Sequence, residues 1–215
     1  MNKKFIASTI TLCLLMQTLP LYAGSNWIDK LFKRQPQEVV EEEHYDIYAL
    51  EVEENLAIPE LSRREREVAL KIQAAEAQRL AQVDGMEVEL IRNNEVIHIT
   101  IAASLLFAPN ETTVLDSAED MLHSLLPCLQ VNDYYHILLI MHSDNTGNTE
   151  YLYKLTTDRV FAIYDWLEDH GAHTDFIVPY AAAGFEPIEE NNSISGRAAN
   201  RRLEIYLIPA EAMFR

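Results

Sequence analysis

Cysteine is almost absent from this chain of 215 residues, which contains only Cys13 and Cys128. Cys13 lies in an N-terminal apolar run that we expect to be removed, so Cys128 remains alone and an intramolecular disulfide is excluded. The neighbours Leu125, Leu126 and Leu129 are typical of a buried core thiol at this position. Because no pair of cysteines is available for a structural zinc site, we predict no metal, and no cofactor either.

Basic residues and glycines are also scarce. Lysine and arginine number 17 against 34 aspartates and glutamates, which gives a formal net charge of −17. Such a chain would be repelled by nucleic acid and by anionic lipid, so neither is predicted as a partner. The six glycines form no glycine-rich phosphate-binding loop. A neutral or zwitterionic polymer remains compatible with this charge if it binds at one local site.

Long apolar runs are limited to one, from Phe5 to about Leu19, with two lysines before it. Ala23 follows at a position suited to cleavage. The run is short for a membrane span and is interrupted by polar residues, which is typical of a cleaved signal peptide rather than an anchor. We therefore predict a signal peptide over residues 1–23 and export of the remaining chain.

Two further segments precede the predicted domain. Residues 24–58 have little periodicity and include three consecutive glutamates, which is typical of an acidic, partly disordered linker. Residues 59–85 contain the capping-box pattern Ser62-x-x-Glu65 and have high helix propensity, so we predict an amphipathic helix. Its narrow apolar face predicts either packing on the domain or pairing with another copy, and helix 60–83 would then form a homo-oligomer. This predicted face comprises Leu61, Val68, Ile72, Ala75 and Val83.

Residues 86–210 alternate between strand and helix patterns. The first strands surround Asn93-Asn94, which predicts a hairpin with a two-residue turn, and Asp116-x-x-Glu119 predicts a helix cap. Pro179 indicates an edge strand or a strand start. Later patterns predict strands at residues 135–141, from 177 and at 203–208, a helix over 149–170 and a polar loop over 185–196. The expected fold is α+β, a βαβαβ mixed sheet with helices on one face, preceded by an N-terminal helix and a β-hairpin.

Residues 141–159 join a predicted buried strand to a helix and carry charges of both signs. Asp144 lies where the strand ends, and Asn145 and Gly147 supply turn chemistry. Arg159 lies in the following helix, close to its apolar stripe, so the side chain could reach back towards the turn. A carboxylate and a guanidinium so placed suit a ligand that is itself a zwitterion.

Three motifs in this half of the chain resemble those of a known family. They are His-Ser-Asp-Asn-Thr-Gly at residues 142–147, Leu-Thr-Thr-Asp-Arg at 155–159 and Gly-Arg-Ala-Ala-Asn-Arg-Arg-Leu-Glu-Ile at 196–205. In this order they resemble the C-terminal domain of the OmpA family, which Pal lipoproteins and the MotB stator share. The resemblance covers roughly the second half of the chain. It implies the fold given above and a non-covalent peptidoglycan anchor.

The resemblance also implies the ligand residues. In the family, the aspartate and the arginine of the first two motifs hold the diaminopimelate side group of the peptidoglycan stem peptide, and here they are Asp144 and Arg159. Arg201 of the third motif is expected near the ligand, and the turn amides around Thr146 and Gly147 could donate to its carboxylate. Two other residues of the third motif are expected to hold the last loop against the sheet: Asn200 and Arg202.

Three positions depart from the family pattern. Met141 stands where a glycine usually precedes the histidine, and Leu152 replaces an asparagine that contacts the ligand. Ala108 follows Phe107 where the family often has an aspartate. The loss of polar groups from the pocket rim predicts weaker binding, or binding to a differently amidated stem peptide.

No pattern indicates catalysis, and we predict that the protein is not an enzyme. His142, Ser143 and Asp144 have the residue types of a catalytic triad, but neighbours in a strand point in alternate directions and form no relay. We predict a periplasmic protein, associated with the outer membrane and the cell wall. It would bind diaminopimelate-containing peptidoglycan and anchor a complex through an outer-membrane protein partner. The alternative is a structural adaptor that keeps the fold and binds a protein partner instead of the wall.

Overall fold

The computed structural model describes residues 62–130, 134–210 and 213, so the predicted signal peptide and linker lie outside the described residues. The described strands are β1 (Met86–Ile91), β2 (Val96–Ala102), β3 (Tyr135–His142), β4 (Ile177–Ala183) and β5 (Arg202–Pro209). The described α-helices are α1 (Arg63–Leu80), α2 (Ala103–Leu106), α3 (Glu119–His123), α4 (Leu126–Leu129), α5 (Thr149–Asp169) and α6 (Ile194–Asn200). Short 3-10 helices occupy Asp116–Ala118 and Thr174–Phe176.

The strands form one mixed sheet in the order β1-β2-β5-β3-β4. β3 and β4 are parallel and are joined through α5, whereas the other neighbours are antiparallel. Pro179 lies in β4, at the edge of the sheet, as the sequence predicted, because a residue without an N–H is tolerated there. The last strand, β5, is central and buried along its whole length.

One face of the sheet packs against the long helices. The main core combines alternate residues of the strands with apolar side chains of α1, α3 and α5, including Leu80, Leu122 and Ile163, each 0% exposed. This arrangement confirms the predicted α+β fold with helices on one face. No helix of the described part of the chain is long and apolar enough to cross a bilayer.

The opposite face of the sheet, here called the second face, carries a smaller apolar cluster. Its buried members are Val96, Leu138, Ile140, Ala182, Tyr206 and Ile208. Nearer the C-terminal end of β3, the second face becomes polar and includes His98, His142 and Glu204. Within the described residues, no side chain of an α-helix belongs to the second cluster.

Helix α1 begins at the predicted capping box. The Ser62 N–H donates to Glu65 Oε2 at 2.8 Å, and the Glu65 N–H donates to Ser62 Oγ at 3.4 Å. The predicted apolar stripe is wrong in part, because Val68 is 43% exposed and Ala75 also faces water. The buried stripe is Ala69, Gln73, Ala77 and Leu80.

The buried side-chain amide of Gln73 explains why α1 buries a different stripe from the predicted one. Its Nε2 donates to the Glu95 carbonyl at 2.9 Å, and its Oε1 accepts from the Tyr135 hydroxyl at 3.2 Å. A polar residue with both groups paired is stable in the core, but a search for apolar periodicity passes over it. The apolar stripe therefore packs on the domain. The predicted homo-oligomer through helix 60–83 stays a prediction.

Three local predictions are wrong. The hairpin has a four-residue loop rather than a two-residue turn, since Ile91 pairs with Val96 and three successive residues (Arg92, Asn93 and Asn94) have positive φ. Asp116 does not cap an α-helix either, because the chain there forms a 3-10 turn whose cap, Leu115, makes no side-chain hydrogen bond. The Leu115 N–H is already donated to the Leu106 carbonyl, which fixes the approach of this segment. The predicted polar loop 185–196 also ends early, because α6 begins at Ile194.

Candidate functional site

The turn that follows β3 presents the acidic group of the site. Asp144 ends the buried strand, and its Oδ1 accepts the Thr146 N–H at 2.7 Å, so the side chain closes an Asx turn. Gly147 has φ +138°, in the region that favours glycine. Asn148 then caps α5 by accepting the Tyr151 N–H at 2.8 Å. Residues 145–150 are exposed, but the Thr146 N–H is taken by Asp144 and the Asn145 N–H donates to Asn191 Oδ1 at 3.4 Å, so these two turn amides are already bonded.

Asp144 is paired with Arg201, which lies at the start of β5. Arg201 Nη1 donates to Asp144 Oδ2, and the Arg201 side chain is 40% exposed whereas that of Asp144 is 6% exposed. Burial opposes the charge of Asp144, but the Thr146 N–H and the Arg201 guanidinium outweigh it and hold its pKa below the usual value. The carboxylate is therefore ionised at neutral pH. Its partner remains accessible to a ligand.

Arg159 is buried and faces the loop that follows α2. Its Nε donates to the Glu111 carbonyl at 2.8 Å and its Nη2 to the Ala108 carbonyl at 3.1 Å. The guanidinium carbon lies 4.9 Å from the centre of the Phe107 ring, within cation–π range. The sequence suggested that Arg159 could reach back towards the turn at Asp144, but the described contacts pair Asp144 with Arg201 instead.

Arg159 and Arg201 are close enough to influence each other. Burial lowers the pKa of Arg159 most, and the positive charge of Arg201 lowers it further. Arginine side chains carry a positive charge in proteins. The site therefore combines two positive groups with one carboxylate, a local excess of positive charge on a chain whose formal net charge is −17. Such a set can bind a carboxylate beside an ammonium group.

Tyr151 and Asn110 form a rim that the sequence reasoning missed. The Tyr151 hydroxyl donates to Asn110 Oδ1 at 3.1 Å, which ties the first turn of α5 to the loop that holds Arg159. Asn110 has φ +60°, a conformation that asparagine tolerates better than most residues. The Asn-Glu pair after Pro109 indicates a turn in the sequence, but it does not indicate that Asn110 contacts Tyr151.

Asn200 and Arg202 hold the loop that precedes α6. Asn200 is fully buried; its Oδ1 accepts the N–H groups of Ile188 and Glu189 at 2.9 Å, and its Nδ2 donates to the Glu189 carbonyl at 2.7 Å. Arg202 donates from Nε to Glu204 Oε1 at 2.5 Å and from Nη2 to the Glu186 carbonyl at 3.2 Å. Neither side chain contacts Asp144, and their place supports a structural role.

The three departures from the family pattern lie in different environments. Met141 is fully buried in the main core. Leu152 is also buried, and a Cβ added at Gly147 would lie 3.4 Å from its Cδ2. Ala108 contributes its carbonyl to Arg159 whatever its side chain, so this contact survives the change.

His142 does not act with Ser143 or Asp144. Its side chain is 1% exposed and lies on the second face, where Nε2 is 3.6 Å from Glu204 Oε2 and Nδ1 is 3.8 Å from Glu186 Oε2. Burial lowers the pKa of His142 below its usual value. Among the described residues, no group of three or more histidines, cysteines, aspartates and glutamates is arranged to hold a metal ion.

Comparison with known proteins finds a family that matches part of this chain. The OmpA family matches residues 106–201. Outer membrane protein A of Bordetella avium is 24% identical over 110 residues, which are 51% of this chain and 57% of the relative, so the chain spans little more than half of that protein.

Two solved structures have a similar fold. The crystal structure of a MotB-like protein from Desulfovibrio vulgaris has a TM-score of 0.60 at 18% identity, over 69% of this chain and all of the other. The cell wall anchor of the T6SS from Pseudomonas aeruginosa has a TM-score of 0.53 at 25% identity, over 66% of this chain and 97% of the other. The matched residues 106–201 contain Asp144, Arg159 and Arg201. The part of the chain that contains these three residues is therefore similar to the OmpA family.

Proposed function

We propose that this domain binds peptidoglycan non-covalently and anchors an outer-membrane complex to the cell wall from the periplasm. The diaminopimelate side group of the stem peptide is the proposed ligand. The observation that carries the proposal is the junction of Asp144, Arg159 and Arg201 at one end of the sheet. The likeness to a cell wall anchor at 25% identity supports it.

The proposed ligand has an ammonium group and a carboxylate on one carbon, and the site offers a partner for each. Asp144 would accept from the ammonium, for which its two oxygens retain lone pairs beyond those used by Thr146 and Arg201. Arg159 commits Nε and Nη2 to backbone carbonyls, so its Nη1 is the group that would meet the carboxylate. Arg201, which is half-exposed, would provide the second cation.

The expected affinity follows from the number of contacts. A charge-assisted hydrogen bond contributes about 1.5–3 kcal/mol net. Two or three such bonds support dissociation constants on the order of micromolar, after the cost of immobilising the ligand. A reversible anchor needs no more, because the wall presents many copies of the stem peptide.

The test is sedimentation of the purified chain with isolated peptidoglycan sacculi, with free diaminopimelate as competitor. We expect Asp144→Asn, which keeps the shape but removes the charge, to weaken pelleting at least tenfold. Asp158→Asn is the matched control, because Asp158 pairs with Lys154 on the surface of the same helix. Unfolding by urea, measured on each variant, separates loss of binding from loss of fold.

Three results would count against the proposal. A wild-type chain that stays in the supernatant would overturn the wall anchor and favour the adaptor that binds a protein partner. Pelleting that diaminopimelate does not compete would retain the anchor and exclude the proposed ligand. Equal loss in Asp144→Asn and Asp158→Asn would exclude Asp144 as a ligand residue.

A further inference from the structure

The apolar part of the second face is buried, although no described helix lies on it. Val96 and Ile140 are 0% exposed, Leu138 and Ile208 1%, and Tyr206 2%. The cluster that they form contains, among described residues, only strand side chains and Phe176 from a 3-10 helix. An apolar sheet face open to water is unfavourable, because apolar surface is more stable when it is removed from water. These side chains therefore require a cover.

The start of α1 lies at the end of the sheet where this face begins. Arg66 Nε lies 2.6 Å from Glu95 Oε1, and Gln73 Nε2 donates to the Glu95 carbonyl. Glu95 directly precedes Val96, the first residue of the second face in β2. Since a helix rises about 1.5 Å per residue, Ser62 lies roughly 16 Å from Gln73 along the helix axis. The first turns of α1 thus lie near the end of the sheet where Val96 begins the second face.

We propose that residues 45–58 of this chain dock on the second face and complete the domain. This segment is the apolar part of the region before α1, in contrast to the acidic stretch around Glu41–Glu43. Half of its 14 positions hold large apolar or aromatic side chains: Tyr45, Ile47, Tyr48, Leu50, Val52, Leu56 and Ile58. Residues 24–44 then remain as the tether.

The length of the segment fits the face. Fourteen extended residues span up to about 45 Å, and residues 59–61 add about 10 Å. A strand of eight residues is about 26 Å long, and four strands are about 15 Å across from first to last. The segment can therefore return from the start of α1 and cover the apolar cluster. A tethered segment also has a high effective concentration, which favours it over a separate partner.

The experiment reports the accessibility of the second face by thiol labelling. Ala182→Cys places a small thiol on the edge strand, at a position that is 0% exposed. The native Cys128, 5% exposed and in the main core, is the internal reference in the same molecule. We expect both thiols to react at least tenfold more slowly in the folded chain than in urea.

The segment is then displaced by charge. Tyr48→Asp with Val52→Asp changes two residues that share a face whether the segment is extended or helical, because they are four positions apart. We expect this pair to raise the labelling rate at position 182 at least tenfold and to leave Cys128 slow. Gln35→Asp with Gln37→Asp adds the same charge to the tether and should change neither rate.

Each other outcome has a defined meaning. Equal labelling at position 182 in all chains would overturn the proposal. Protection that falls on dilution would assign the face to a second copy of the chain instead. If the Asp pair exposes Cys128 as well, the domain has unfolded, and the milder Val52→Ser must then raise labelling at position 182 alone, or the proposal fails.

Discussion

Asp144 and Arg201 form an ion pair although 57 residues separate them in sequence. The pair joins the turn after β3 to the residue that directly precedes β5. Because Arg201 is one of the groups that keep the pKa of Asp144 low, Arg201→Ala should raise that pKa towards its usual value. A titration of the Asp144 carboxyl carbon by NMR would measure the change.

The control for this variant is Arg63→Ala, which removes an exposed arginine at the far end of α1. The direction of the Asp144 pKa shift also predicts how the stability of the fold depends on pH. The pKa of Asp144 is lower in the folded chain than in the unfolded chain, where it is about 4. The ionised carboxylate therefore stabilises the fold above about pH 4, and this stabilisation is lost as pH falls through the pKa of the folded state. Arg201→Ala should reduce the stability that is lost at low pH. If the free energy of unfolding of this variant depends on acidic pH as that of the wild type does, Arg201 does not lower the pKa of Asp144.

Arg159 is as much a structural residue as a ligand residue. It binds the Glu111 and Ala108 carbonyls and lies over Phe107, so Arg159→Lys keeps the charge but cannot reproduce the forked contact. We expect the free energy of unfolding to fall by about 2 kcal/mol, since hydrogen bonds from a charged group contribute about 1.5–3 kcal/mol each. Urea denaturation would measure this change.

Lys154→Met provides the matched comparison. Lys154 is an exposed lysine of the same helix whose pair with Asp158 should contribute little. If Arg159→Lys is no more destabilising than Lys154→Met, the buried contacts do not stabilise the loop. If Arg159→Lys is destabilised yet pellets normally with sacculi, Arg159 positions the loop without binding the ligand.

The large elements of the fold were predictable because their signals are local. The strand 135–141, the helix 149–170 and the capping box at Ser62 each follow from periodicity or cap chemistry within a few residues. The same pattern at Asp116 does not form a cap, because the Glu119 N–H donates to the Asp116 carbonyl in a 3-10 turn. The segment before this turn is held by the bond from the Leu115 N–H to the Leu106 carbonyl, a contact between segments that the local sequence does not contain.

The candidate site divides in the same way. The family motifs selected Asp144, Arg159 and Arg201 together, but which carboxylate pairs with which arginine depends on the register of β5 beside β3. Sequence spacing favoured a reach from Arg159 to the turn, and the described structure directs that side chain to the loop at Ala108. Tyr151 and Asn110 meet across 41 residues and carried no local signal.

His98 provides a pH-dependent contribution on the second face. Its Nδ1 lies 2.8 Å from Glu89 Oε1, its Nε2 lies 3.6 Å from Glu204 Oε2, and its ring stacks on Tyr206. Burial opposes the charge of His98, but Glu204 and then Glu89 raise its pKa above the usual value. The resulting stability is fully present below the unfolded pKa, about 6.5, and is lost as pH rises through the folded value.

Removing one acidic neighbour should shift this titration. We expect Glu89→Gln to lower the pKa of His98 and to reduce the stability that is lost as pH rises above the unfolded pKa, about 6.5. NMR titration of the histidine ring protons and urea unfolding as a function of pH would measure these effects. Glu87→Gln, on the same strand, is the control. In the same spectra, the pKa of His142 should lie below the usual value of a histidine, because burial lowers it.

Gly184 offers a test of the site that removes no polar group. A Cβ at this position would lie 2.7 Å from the Asp144 carbonyl oxygen, closer than packing permits, so Gly184→Ala must displace the backbone that presents the carboxylate. Because an ion-pairing site depends on geometry within a fraction of an ångström, we expect pelleting with sacculi to weaken about tenfold or more.

The comparison variant for Gly184→Ala is Gly171→Ala, at the end of α5. Gly171 has φ +85° and an added Cβ would meet only Gln130 Nε2 at 3.5 Å, so the substitution strains the backbone far from Asp144. It should lower the free energy of unfolding by about 1 kcal/mol and leave wall binding unchanged. If both variants bind as the wild type does, the position of Asp144 does not limit recognition, and the ligand must be held by the arginines alone.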